Sequence, residues 1–166
     1  MSTSENLKEA FAGESQANRK YLAFAKKADQ EGYAQVARLF RAAAAAETVH
    51  AHAHLDVMGG VQDTAANLQA AIAGEGAEFQ EMYPAFVEEA KSEGNERARE
   101  SFEYAMAVEE IHHGLYTEAA KAVDAGSDLP PRSLFVCRCC GNTVYDAPPE
   151  ECPVCGSPRS WFDEVA

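Results

Sequence analysis

Glu47-Thr48-Val49-His50 and Glu109-Glu110-Ile111-His112 are two copies of one Glu-x-x-His pattern in a chain of 166 residues. A spacing of three puts carboxylate and imidazole on one face of a helix, where both can reach a common ion. Working outward, each copy has a further glutamate 33 or 34 residues upstream in the same setting, Gly13-Glu14 and Gly74-Glu75. The frame around them repeats as well, since Ala23-Phe24 and Glu31-Gly32 answer Ala85-Phe86 and Glu93-Gly94. This is an internal duplication offset by about 62 residues, with one extra residue between Glu75 and Phe86 in the second copy. A residue inserted into a helix is commonly absorbed as a π-bulge. Pro84 lacks an N–H and is tolerated where the ladder is already broken. A bulge or kink is expected around 78–84.

Glycines punctuate the duplicated region into four helices. The first starts at the capping-box pair Ser2 and Glu5 and runs to about Gln30. The second covers about Tyr33 to Met58, and the third begins at the N-cap candidate Asp63 and ends before Gly94. The fourth begins at Asn95 and ends before Gly126. Helices of this size span roughly 40 Å, which suits a bundle. Steps of three and four mark their inward faces: Phe11, Glu14, Asn18 and Tyr21 on the first, Phe40, Ala43, Glu47 and His50 on the second. The candidate ligands thus lie inside apolar stripes. The expected architecture is an all-α four-helix bundle over residues 1–126, a stiff Pro-Pro linker over 127–133, and a small metal-held domain over 134–166.

Unpaired carboxylates in an apolar seam cost several kcal/mol each, about the penalty that two cations would remove by coordination. Glu78, one turn beyond Glu75, can join the same site. The candidate set is Glu14, Glu47, Glu75, Glu78 and Glu109 with His50 and His112. Oxygen-rich ligation with some nitrogen suits iron or manganese. Glu47 and Glu109 are expected to bridge, with Glu14 and Glu75 terminal. Tyr21 and Tyr83 are either core aromatics or donors to metal-bound carboxylates and oxygen species. His52, His54 and His113 read as peripheral or packing residues.

All five cysteines lie between 137 and 155. Cys137-x-x-Cys140-Gly141 and Cys152-x-x-Cys155-Gly156 are two knuckles, and four thiolates in a tetrahedron hold zinc or a single iron. Cys139 is left over as a non-ligand. The net charge of −13 argues against nucleic acid as a partner. No apolar run approaches the ~20 residues of a membrane span. The N-terminal residues show no basic segment followed by an apolar stretch, so a cytoplasmic location is expected.

With both halves in view the chain resembles the rubrerythrins. The resemblance rests on Phe11 to Gln16 (Phe-Ala-Gly-Glu-Ser-Gln), Glu47-x-x-His50, Gly74-Glu75-x-x-Glu78, Glu81-Met82-Tyr83-Pro84, Glu109-x-x-His112 and both cysteine knuckles. Two lone glutamates plus two Glu-x-x-His pairs form the di-iron ligand set of ferritin-like bundles. The resemblance implies a ferritin-like di-iron bundle followed by a rubredoxin-like domain with one iron on four cysteines. It implies an oxidoreductase, a non-haem peroxidase that reduces hydrogen peroxide to water in oxidative-stress defence. Electrons would come through the cysteine-bound iron from a reduced donor, a rubredoxin or an NAD(P)H-dependent reductase. It also gives Glu78 a catalytic role in exchange with His50, and zinc can replace iron at the cysteines in recombinant protein. An iron-oxidising or storage protein of ferritin type is the alternative, and a helical module with a structural zinc ribbon is a third reading.

In a ferritin-like bundle the second and third helices run parallel, so their connection must span the bundle. Residues Gly59 to Gln62 reach at most ~14 Å, against helices of roughly 40 Å. A domain-swapped homodimer is therefore expected, with two helices of one chain completing the bundle of its partner.

Overall fold

The computed structural model describes residues 2–165. The chain divides into two compact units, one through Gln62 and one from Asp63 onward.

The first unit is a helical hairpin, α1 (Thr3–Gln30) and α2 (Ala34–Val57). Ser2 and Glu5 form the expected capping box at its start. The turn between the helices shows why glycine stands at 32. Gly32 adopts φ +83°, which costs a residue with a Cβ about 1 kcal/mol or more. The Tyr33 N–H then returns to the Ala28 carbonyl at 2.9 Å, closing a Schellman turn. Small residues let the two helices approach closely: Ala25, Ala28, Ala37, Ala44 and Ala51 are all buried. Buried Asn18 ties them together, its Nδ2 donating to the Ala44 carbonyl at 2.7 Å and to Thr48 Oγ1 at 2.8 Å.

The second unit repeats this plan and adds to it. Helix α3 (Thr64–Ala77) is capped by Asp63, whose carboxylate accepts from the Ala66 N–H at 2.8 Å. A π-helical turn, Glu78–Met82, follows, and α4 (Tyr83–Ser92) continues the same rod. This is the deformation expected from the extra residue of the second copy. Pro84 sits in the first turn after it. Gly94 turns the chain with φ +66°, and Asn95 caps α5 (Glu96–Asp124), the partner of the interrupted rod. The duplication is visible in the packing. Tyr21, Phe24 and Phe40 form an aromatic cluster with ring centroids 5.6–6.2 Å apart. Tyr83, Phe86 and Phe102, each 62 positions on, form its counterpart at 5.5–6.3 Å.

Beyond α5 a three-stranded antiparallel sheet, ordered β2-β1-β3, is built from Leu134–Cys137 (β1), Thr143–Tyr145 (β2) and Phe162–Val165 (β3). Its small core is Cys137, Cys152 and Phe162, backed by Phe135 and Val144. The sheet and its knuckles belong to the same unit as α3–α5. Among the described residues no helix is long and apolar enough to cross a membrane.

Candidate metal centres

In the first unit the hairpin brings Glu14 from α1 to Glu47 and His50 from α2, with one ligand atom of each lying within 4.8 Å of the others. His50 Nδ1 is 2.8 Å from Glu47 Oε2. The second unit assembles Glu75, Glu109 and His112 in the same way, with His112 Nδ1 2.8 Å from Glu109 Oε2 and 3.8 Å from Glu75 Oε1. Ligands about 2.1 Å from an octahedral ion lie about 3 Å apart when adjacent and about 4 Å when opposite, so each trio has the dimensions of a site for one ion.

Electrostatics supports a cation here. Burial, then the neighbouring Glu109 charge, pushes the Glu75 carboxyl up to about 7. Two carboxylates in one half-buried pocket do not both ionise readily unless a cation offsets them. Burial also raises the Tyr83 phenol, aided by the charges of Glu78, Glu109 and Glu75. Tyr83 therefore remains an O–H donor beside these carboxylates. Glu78 opens the π-helical turn, half-buried, near enough for its charge to act on Glu75 and Tyr83 but outside the trio itself. Tyr21 packs against Phe24 and Phe40. His113 packs its ring on Phe79 and lies over Gly76.

The four knuckle thiols converge as the third cluster. Cys137 and Cys155 sulfurs are 3.7 Å apart, and those of Cys140 and Cys152 are 3.6 Å apart. A disulfide would place sulfurs at about 2.05 Å. Four sulfurs about 2.3 Å from one tetrahedral metal lie about 3.8 Å apart. The geometry is that of a metal tetrad. Each knuckle closes with a glycine N–H donating to its first cysteine's carbonyl, Gly141 to Cys137 at 2.8 Å and Gly156 to Cys152 at 2.9 Å. Exposed Cys139 stays outside the tetrad.

Burial raises the Cys137 and Cys140 thiols. At Cys155 burial is outweighed by the Ser157 hydroxyl, 3.3 Å away, and the Ser157 backbone, which bring the thiol down to about 6. Buried Asn142 directs its Nδ2 toward Cys152 Sγ at 3.6 Å. Asn142 and Ser157 each follow a knuckle glycine. That shared position was the one sequence signal that could have singled them out.

The fold and these clusters define a class: duplicated helical hairpins carrying carboxylate–histidine metal sites, with a four-cysteine ribbon appended. The rubrerythrin profile matches residues 5–120, and the rubredoxin-like domain of rubrerythrin matches residues 135–163. Rubrerythrin-2 of Clostridium acetobutylicum is 32% identical over 174 residues, covering 96% of this chain and 95% of its own. Nigerythrin of Nitratidesulfovibrio vulgaris is 38% identical over 175 residues, covering 97% and 85%. The fully reduced, all-ferrous structure of nigerythrin aligns over 99% of this chain and 87% of its own, with 35% identity and a TM-score of 0.59. The chain belongs to the rubrerythrin family.

Proposed function

We propose that this chain is a peroxide reductase with iron at both carboxylate trios and at the cysteine tetrad. The observation that carries the reading is the coexistence of two Glu-Glu-His clusters with a tetrad of thiols in one chain. When bound, the two carboxylate-held irons would supply the electrons that turn hydrogen peroxide and two protons into two waters, and the thiolate-held iron would return them singly from a reduced rubredoxin or NAD(P)H-dependent reductase. The chain's own residues do the rest. Glu14, Glu47 and His50 hold one ion, and Glu75, Glu109 and His112 hold the other. Glu78 offers a further carboxylate beside the second ion. Tyr83, kept as a phenol, would offer its O–H as a donor beside Glu75 and Glu109, and Tyr21 is its counterpart in the first copy.

The pair of sites requires both trios to face each other, and we propose that this happens in a domain-swapped homodimer. Between α2 and α3 run only six residues, Met58 to Asp63. They reach at most about 21 Å, whereas the 24 residues of α2 rise about 36 Å. The hairpin also exposes the large apolar side chains Leu22, Phe24, Val36, Leu39 and Val49, some of which a second copy would bury.

Iron analysis and a single-turnover experiment test the reading together. About three irons per chain are expected, with rapid oxidation of the bundle iron by one equivalent of peroxide, followed by that of the thiolate-bound iron. Zinc at the cysteines with an iron-free bundle in protein refolded anaerobically with excess Fe(II) would refute it. Glu78→Ala is expected to slow peroxide turnover while leaving the thiolate–iron absorption unchanged. Sedimentation showing a monomer with both carboxylate sites filled would eliminate the swap.

A further inference from the structure

The two copies of the metal site are alike in sequence but not in their surroundings. His50 and His112 both turn Nδ1 toward the glutamate three residues before them, at 2.8 Å in each case. Their other ring nitrogens differ. His112 Nε2 lies 3.0 Å from Thr143 Oγ1, on the second strand of the cysteine ribbon. His50 Nε2 has no partner within its unit among the described residues, and its side chain is 55% exposed against 27% for His112.

The polarity of the Thr143 contact depends on which ring nitrogen of His112 carries the hydrogen. The Thr143 hydroxyl donates its only hydrogen to the Gly141 carbonyl at 3.1 Å. Its oxygen is then free to accept, and with a metal on His112 Nδ1 the hydrogen between Thr143 and His112 would belong to Nε2. That arrangement would leave the Nδ1 lone pair to an ion held with Glu75 and Glu109. The contact is sheltered: His112 and Thr143 line a cavity of about 310 Å³ with Leu68, Leu115, Leu129 and Leu134. A second contact fixes the same approach. Gly141, at the tip of the first knuckle, packs over buried Val108, and a Cβ there would stand 3.7 Å from Val108 Cγ1. Val108 immediately precedes the ligand candidate Glu109. The ribbon therefore rests on the turn of α5 that carries Glu109 and His112.

We propose that Thr143 is a positioning residue for the second metal site: it accepts from His112 Nε2–H when Nδ1 is on the metal, fixes the plane of the ring, and thereby couples docking of the cysteine ribbon to metal binding at Glu75, Glu109 and His112. Within its own unit, among the described residues, the first copy offers His50 Nε2 no equivalent contact. This rests on the reading that the trio binds a metal, which is what leaves the ring hydrogen to Nε2. Groups that hold the far nitrogen of a metal-bound imidazole typically change metal affinity by about 10–100-fold.

The test uses the full chain with ¹⁵N-labelled histidine, loaded with zinc as a diamagnetic probe. The expected result is a His112 Nε2–H that exchanges with water at least about tenfold more slowly than that of His50. Thr143→Val should abolish this protection and weaken Co(II) binding at the trio by about tenfold. Thr143→Ser should restore both, and Co(II)–thiolate absorption should report an intact ribbon throughout. A merely structural threonine would leave the exchange of His112 Nε2–H unchanged. A His112 Nε2–H exchanging as fast as that of His50 in the parent protein overturns the proposal, whatever the variants do. So does a Thr143→Val protein indistinguishable from the parent. Failure of the metal reading would appear separately, as no zinc-induced shift at either Nδ1; protection of His112 Nε2–H in that same sample would still support the Thr143 contact.

Discussion

Glu75 offers a quantitative handle on the carboxylate cluster. In the metal-free protein its carboxyl is raised from 4.5 to about 7, chiefly by burial and then by the charge of Glu109. A carboxyl raised on folding binds its proton more tightly in the folded state. Its contribution to stability is complete below 4.5 and is lost as pH rises through 7. At full strength the shift corresponds to about 3 kcal/mol. The side chain is 19% exposed, and solvent screening reduces the expected loss to about 1–2 kcal/mol. Urea unfolding of chelator-treated protein, followed by far-UV circular dichroism at pH 5 and pH 8, measures it. The parent should lose that amount relative to Glu75→Gln, whose amide cannot titrate. Parallel pH profiles for the two proteins would refute the claim that Glu75 is forced to share its pocket with a second carboxylate.

Three further outcomes follow from local geometry. Cys152→Ala should remove one metal per chain by native mass spectrometry and collapse the amide resonances of β1–β3, because a ribbon this small depends on its ion, while helical circular dichroism persists. Gly94→Ala should lower stability in urea by about 1 kcal/mol, since φ there is +66° and an L side chain resists that conformation. Asn18→Ala should cost about 1–3 kcal/mol by leaving the buried Ala44 carbonyl and Thr48 hydroxyl without this donor. Hydrogen exchange should show the loss concentrated in the α1–α2 hairpin.

Much of this architecture was legible in the chain. Glycine at 32 and 94, asparagine and aspartate at 95 and 63, and the serine–glutamate pair at the N-terminus are local signals. They act through backbone torsion and capping within one turn, and the helices begin and end at them. The π-turn was readable because duplication supplied an internal reference against which one extra residue stood out. The Glu-x-x-His and Cys-x-x-Cys pairs were readable from short fixed spacings, and Glu14 and Glu75 from the repeated interval of 33 or 34 residues that separates them from those pairs.

What the linear chain determined was therefore whatever depends on neighbours within a turn or on a repeated interval: helix limits, the extra residue, the knuckles and the identity of the candidate ligands. Tertiary structure alone decided which residues stand behind those ligands. Thr143 meets His112 across 31 positions, and Gly141 meets Val108 across 33, with no periodicity to announce either. Such contacts arise from how one element docks on another, and a lone threonine or glycine in a strand or turn carries no signal of the surface it will face. The same docking gives His112 a contact that His50 lacks within its own unit.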